Sequence, residues 1–271
     1  MISIIGLAAL ARSGKDTVAS LLLEHKEVAA YALADPLKAG CQALFGLTSE
    51  ETWDDTIKEE VIPLWSLSPR QMFQQVGTEW MRNHNPEHWL MRADKEINHS
   101  ANQAKPLATP DNLAQPDAPI RLASQAFFGL TNEQTWSNQS LHTQDEYWGI
   151  TPFEIFSLIE SLCHSDFENY EQQRNARPVK GLESKQLSLS GKQFIIIKDI
   201  RYENEADFWR MHGGVIWHIE RANAEKVNAH SSELGIKFDK RDITINNNGT
   251  LEELKSKVNK AWLTHTANVS P

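Results

Sequence analysis

An α/β fold, with a central parallel sheet flanked by helices and a mainly helical insertion, is predicted by three observations. The chain opens on a short apolar, β-branched run followed by a helical pattern, such runs recur between helical periods, and one long segment is repeated. The first run, Ile2 to Ala8, reads as a buried parallel strand, and Asp16 to Lys26 then carries Val18, Leu21, Leu22 and His25 at helical spacing. Strand-like runs follow at Val28 to Leu33, Phe194 to Ile197, Val215 to Ile219 and Ile243 to Ile245, and the alternation argues for parallel pairing. Gly249, a capping box of Thr250 and Glu253, and Leu251, Leu254, Val258 and Trp262 on one face mark the last helix.

Bulk properties narrow the class. A chain of 271 residues buries a core without staples, as one large domain with an insertion. A net charge of -9 and a pI near 5.6 argue against a nucleic-acid surface and leave room for a local anion pocket. Cys41 and Cys163 show neither metal-ligand nor redox spacing and read as reduced thiols. The start has no basic region or cleavage site, and no apolar run reaches membrane-spanning length, so a cytoplasmic protein without membrane partners is expected.

The insertion spans 101–191 of a single 1–271 domain, bracketed by an extended Pro, Ala, Asn and Gln-rich linker (Ala101 to Pro119) and a polar stretch (Glu168 to Gly191). Within it, 119–156 is a degenerate copy of 36–73, gapless at an offset of 83 with 13 identities in 38 positions. Ser68, Pro69 and Gln71 form a helix start that Thr151, Pro152 and Glu154 preserve, and Thr48 with Glu51 returns as Thr131 with Gln134. The copy is therefore expected to fold alike, with Trp53 and Trp136 as core residues. What it loses is polar: Asp35 becomes Ala118, Arg70 becomes Phe153, and the turn Gly77, Thr78, Glu79 becomes Glu160, Ser161, Leu162. These differences mark Asp35, Arg70 and Gly77 to Glu79 as candidates for chemistry.

Between the first strand and helix, Ala9 to Thr17 reads as a variant of the phosphate-binding pattern G-x-x-x-x-G-K-[ST]. Gly14 and Lys15 are in place, Ala9 replaces the first glycine, and Asp16 stands where Ser or Thr is usual. Ala9 is acceptable at negative φ, because backbone N–H groups and the helix N-terminus hold the anion. Asp16 is read as a magnesium ligand, directly or through water; in the alternative Thr17 is the ligand and Asp16 caps the helix.

The order and spacing of "RSGKDT" (Arg12 to Thr17), "ADPLK" (Ala34 to Lys38), "SPRQMFQQVGTEWMR" (Ser68 to Arg82), "DIRYENEA" (Asp199 to Ala206), "GGVIWHIER" (Gly213 to Arg221) and the terminal "HSSE" and "NNNGTLEEL" resemble the phage-type deoxynucleoside monophosphate kinases. The resemblance implies a P-loop kinase fold, ATP as donor with Mg2+, a deoxynucleoside monophosphate as acceptor, a homodimer and, for a phage-encoded chain, the host cytoplasm. It assigns Asp199 to the magnesium shell, Arg201 to the phosphates, and Asn246 and Asn247 to the adenine beside Asn248. Arg12, Ser13, Gly14 and Lys15 serve the donor. Arg70, at a helix start, suits the acceptor phosphate. Lys38 reaches the same phosphate or is plain surface; Asp35 orders magnesium or an acceptor hydroxyl, or caps its helix. Arg221, Lys226, Lys237, Lys240 and Arg241 read as a lid or a solvated loop. His230 and Glu233 match a family pattern without an assigned role. Two alternatives remain: a kinase of another phosphorylated metabolite, and a nucleotide-binding module without transfer.

Overall fold

Chain order follows the alternation of apolar runs and helical periods. The computed structural model describes residues 2–10, 12–99, 108–182, 187–222 and 236–269, with the backbone alone at 199, 268 and 269. The chain begins with β1 (Ser3–Ala9), α1 (Lys15–Leu22) and β2 (Val28–Tyr31). There follow α2 (Ala34–Phe45), α3 (Ser49–Trp53), α4 (Pro69–Gln74), α5 (His88–Asp94) and α6 (Pro110–Leu113). Next come α7 (Ala118–Phe128), α8 (Asn132–Trp136), α9 (Pro152–Asp166) and α10 (Tyr170–Asn175). The chain ends with β3 (Phe194–Ile200), α11 (Glu203–Met211), β4 (Val215–Glu220), β5 (Ile243–Asn246) and α12 (Leu251–Val269). These elements fall into two compact units, Met1–Leu33 with Leu187–Pro271, and Ala34–Gln186. No helix of the described residues is long and apolar enough to cross a membrane.

In the first unit the described strands form one parallel sheet in the order β2-β3-β1-β4-β5. Strand side chains alternate between faces. Ile5, Leu7, Phe194, Ile196, Trp217 and Ile219 pack with Val18 and Leu22 of α1 and with Leu254, Val258 and Trp262 of α12. Leu251, expected on that stripe, is 60% exposed, so coverage of the helix starts at Leu254. Burying a side chain such as Leu22 or Val258 contributes about 1.5–3 kcal/mol.

The second unit is helical and carries both copies. Both sets of capping boxes expected from the sequence are present, on Thr48 and Ser68 and on Thr131 and Thr151. Equivalence reaches single bonds. Thr52 and Thr135 each donate their hydroxyl to the carbonyl four residues back, at 2.7 Å in both cases. The Trp65 indole donates to the Phe45 carbonyl at 3.0 Å, and the Trp148 indole to that of Phe128 at 2.6 Å. Gly46 and Gly129 end α2 and α7 in left-handed conformations, φ 63° and 60°. Trp53 and Trp136, expected in the core, are half-buried, and Trp53 lies beneath the Lys38 ammonium, 5.1 Å from the ring centre.

Helices α2 and α7 approach closely: a Cβ on Gly40 of α2 would fall 2.0 Å from the Phe127 ring, so only glycine fits there. Their ends are then tied reciprocally. The last carbonyls of a helix have no partner within it. Arg174 and Tyr170 of α10, which follows the second copy, donate to Ala43 O at 2.9 Å and Leu44 O at 2.9 Å of α2. Arg92 and His88 of α5, which follows the first copy, reach the equivalent Ala126 O at 2.8 Å and Phe127 O at 3.1 Å of α7. The duplication therefore extends past Phe156, with α5 and α10 matched one residue short of the main offset.

Two expectations about connections are corrected. The stretch Ala101 to Pro119 is not wholly extended: Thr109 caps α6 through Asn112, with Pro110 at its first position, and α7 starts at Ala118. The polar stretch after Glu168 contains α10, held by the buried Tyr170 and Arg174.

Replacing Arg174 by Met should lower unfolding free energy by about 3 kcal/mol in a denaturant titration, because buried carbonyls lose a charged donor. Burial pushes the His88 imidazole down to about 3 from its ordinary 6.5. It therefore folds neutral, and its contribution is complete above pH 6.5 and is lost as pH falls towards 3, at up to about 1.4 kcal/mol per pH unit. The fall in melting temperature across that window should be shallower in His88→Gln than in the parent chain.

Candidate functional site

The strand order creates the site of the first unit. β1 leads through α1 to β2 on one side, whereas its neighbour β3 leads through α11 to β4 on the other. Their carboxyl ends therefore flank a switch point, where parallel sheets bind ligands. The β1–α1 loop and the β3–α11 turn both lie there.

Ala9 ends β1 in extended backbone, so the missing first glycine costs no strain. Arg12 adopts φ 62°, which among the described non-glycine residues only Ser66 parallels in sign. Such strain persists where the surroundings impose it. Gly14 is the N-cap of α1 at φ 92°, and the first bond into the helix ladder is Val18 N–H to Gly14 O at 3.1 Å. The N–H groups ahead of that bond face the loop, at the positive end of the helix. Across it, the Asn247 side-chain amide donates to Ser13 O at 2.9 Å. Lys15 and Thr17 are half-buried and Asp16 is exposed. The reading of Asp16 as a helix cap is not met, since Gly14 holds the N-cap without any side-chain bond.

On β3, Ile197 pairs with Gly6 and Ile200 with Ala8, so β3 carries one extra residue across Lys198 and Asp199. Bulges of this kind re-aim side chains beside sites. Asp199 is one of the two residues on that bulge. The exposed Arg201 comes next, and its N–H donates to the buried Glu205 carboxylate at 2.8 Å, with Tyr202 N–H at 3.3 Å. Glu205 was not among the expected site residues; a carboxylate three residues into a helix is the signal that could have found it.

Asn246 ends β5, and its carbonyl accepts from Lys257 at 2.8 Å, while Asn248 accepts from Ala222 N–H at 2.7 Å. Of the lid candidates, Arg221, Lys237 and Arg241 are exposed, and Arg241 pairs with Asp239 at 3.1 Å. Lys237 and Arg241 flank an anchored foot. The Arg210 guanidinium donates to Lys237 O and to the Asp242 carboxylate, each at 2.6 Å, and His218 adds a contact to Asp242 at 3.0 Å. Burial pushes the Asp242 carboxyl up, but Arg210, Asp239 N–H and His218 outweigh it and leave it below the usual carboxylate range. Lys226, His230 and Glu233 lie outside the described residues.

The acceptor candidates belong to the second unit. Asp35 lies in the first turn of α2, which starts at Ala34 rather than at Pro36. Arg70 occupies the second position of α4, exposed, with its guanidinium 3.1 Å from Glu59. Lys58 holds the Asp55 carboxyl low, and the fields of Lys38 and Arg70 both reach it, so these two cations share a neighbourhood. Gly77 to Glu79 is not a turn. It lies inside a wide-wound π-helical stretch, Gln75–Arg82, whereas the copy keeps one regular helix, α9, over the same span. π geometry recurs at functional sites because it redirects side chains. Gly77 is buried against Leu37, while Thr78 and Glu79 are exposed. A cleft lined by Gln42, Gly46, Thr48, Arg177, Lys180 and Leu182 contains none of the expected residues.

Among the described residues no three His, Cys, Asp or Glu side chains gather as a metal cage. Magnesium commonly leans on one or two carboxylates and the substrate's phosphates instead, which suits a loop with one exposed carboxylate.

Residues 180–258 match the family model described as deoxynucleotide monophosphate kinase. A protein of Acanthamoeba polyphaga mimivirus, provisionally named a deoxynucleotide monophosphate kinase, is 25% identical over 94% of this chain and 93% of its own. The deoxynucleotide monophosphate kinases of Escherichia phage RB69 and Enterobacteria phage T4 are 33% and 35% identical, over 28% and 29% of their lengths and about a quarter of this chain. The resemblance drawn from the motifs is borne out.

Replacing Gly14 by Ala should cut nucleotide binding at least a hundredfold by calorimetry while the helical signal persists. The new Cβ would lie 2.3 Å from the Asn247 amide at a φ of 92°, so the loop has to rearrange.

Proposed function

We propose that this chain belongs with the deoxynucleotide monophosphate kinases it resembles and transfers the γ-phosphate of ATP to deoxynucleoside 5′-monophosphates, giving the diphosphates. The observation that carries the reading is the loop with left-handed Gly14 at the N-terminus of α1, at the sheet's switch point. Transfer between two anions requires positive charge around a dispersed negative transition state and in-line positioning.

In this reading the N–H groups ahead of the α1 ladder hold the donor phosphates, and Lys15 neutralises charge that grows during transfer. Arg12 and Arg201 add charge from the ends of β1 and β3. Asp16 or Thr17, with Asp199, would hold magnesium, which would supply positive charge to offset that of the phosphates. Arg70, helped by Lys38, takes the acceptor phosphate and exchanges its Glu59 partner for it, since a forked guanidinium matches phosphate oxygens. Asp35 and the Gly77 to Glu79 stretch orient the nucleoside.

One observation favours a second reading: Arg70 already has a carboxylate partner, as in a nucleotide-binding module that transfers nothing. An ADP-release assay with ATP, magnesium and each deoxynucleoside and ribonucleoside monophosphate separates the two. Turnover should be found with deoxynucleotides, with Lys15→Ala lowering kcat about a hundredfold or more. Arg70→Ala should raise the acceptor KM about tenfold or more and leave ATP binding unchanged. ATP binding without turnover on any acceptor would establish the module instead.

A further inference from the structure

We propose that Asn247 is the positioning residue of the phosphate loop: its side-chain amide fixes the Ser13–Gly14 peptide so that the Gly14 N–H is presented to the donor's phosphates. The inference deepens the kinase reading, on whose phosphate loop it rests, and it gives Asn247 a different task from base contact.

Three observations converge on this residue. The Asn247 Nδ2 donates to Ser13 O at 2.9 Å, linking positions 234 residues apart. The peptide between Ser13 and Gly14 is trans, as are all described peptides. In a planar trans peptide the C=O and N–H point in opposite directions, so pulling the Ser13 carbonyl towards Asn247 sends the Gly14 N–H away from it. Asn247 is itself held, because its own N–H donates to Glu220 O at 2.7 Å, at the end of β4. Its backbone therefore belongs to the sheet edge, and its side chain carries that rigidity into the loop.

Space excludes a casual contact. The amide nitrogen lies where a Cβ on Gly14 would come within 2.3 Å, so glycine at 14 and asparagine at 247 are fitted to each other. Gly14 takes φ 92°, a conformation that needs an external hold to stay single. Asparagine suits the task because it is short, neutral and a donor. An aspartate would set a carboxylate against the Ser13 carbonyl and close to the incoming anion, and alanine would leave the peptide free to turn.

The test measures binding of magnesium-ATP and of inorganic tripolyphosphate, which has the phosphates and no base, to the full chain, with turnover in parallel. Asn247→Ala should weaken both ligands by a similar factor of about ten, and raise the ATP KM without changing the acceptor KM or the melting temperature. Asn247→Asp should be at least as weak, and Asn247→Ser, which restores a short donor, should recover part of the loss. Loss of ATP affinity with tripolyphosphate unaffected would overturn the proposal in favour of a base contact. It would fall equally if both affinities stayed within twofold, or if the parent chain bound ATP but not tripolyphosphate. A parent chain that phosphorylates no nucleotide, yet loses tripolyphosphate on Asn247→Ala, would refute the kinase reading and leave this one standing.

Discussion

Two parallel crossovers that leave adjacent strands in opposite directions form the constraint on which the first unit depends. Because β1 departs towards β2 and β3 towards β4, the two connections diverge at the strands' carboxyl ends and leave a switch point between them. The β1–α1 loop, the bulge on β3 and the turn held by Glu205 all border that point. Each is a local departure from regular geometry, and the parallel ladders beneath keep it in place. Even Asn247 acts from the same edge, since the end of β4 fixes its backbone.

The helical unit offers a comparison within one chain, two related folds of which the second lacks counterparts of Asp35 and Arg70. Capping boxes, helix-ending glycines and indole bonds survive in both, because removing any of them would leave backbone groups unpaired. The winding of the third helix differs. The first copy opens into a π stretch where the second stays regular, and the difference spans a segment whose residues diverge between the copies, Gly77 to Glu79. A wide turn forfeits regular hydrogen bonding, and among the two copies it occurs where Gly77 to Glu79 stand and not where Glu160 to Leu162 replace them.

Much of this was legible in the sequence because it is local. Apolar runs gave the strands, Ser68-Pro69 and Thr151-Pro152 gave helix starts, and Gly14-Lys15 gave the loop, since each signal spans a few residues. The rest depends on distance or on a shift in register. The bond from Asn247 to Ser13 joins opposite ends of the chain, and no short pattern announces it. The helix at Pro110 was hidden by an asparagine where a capping box usually has glutamate or glutamine. Matching of α5 to α10 escaped a fixed offset because one residue is missing and because His88 and Tyr170 do the same work with different chemistry.

The crossed ties between the copies bear on how such a gene can change. Recombination between the two repeats would excise 83 codons and leave one helical module with one set of helix-ending donors. In the intact chain each module's donors close the other module's helix, so a single module folded like either copy would present its donors to the helix end of a second molecule. Exchange of identical elements between protomers is an inexpensive route to a dimer. A contraction of the gene would thus turn an internal pairing into one between molecules.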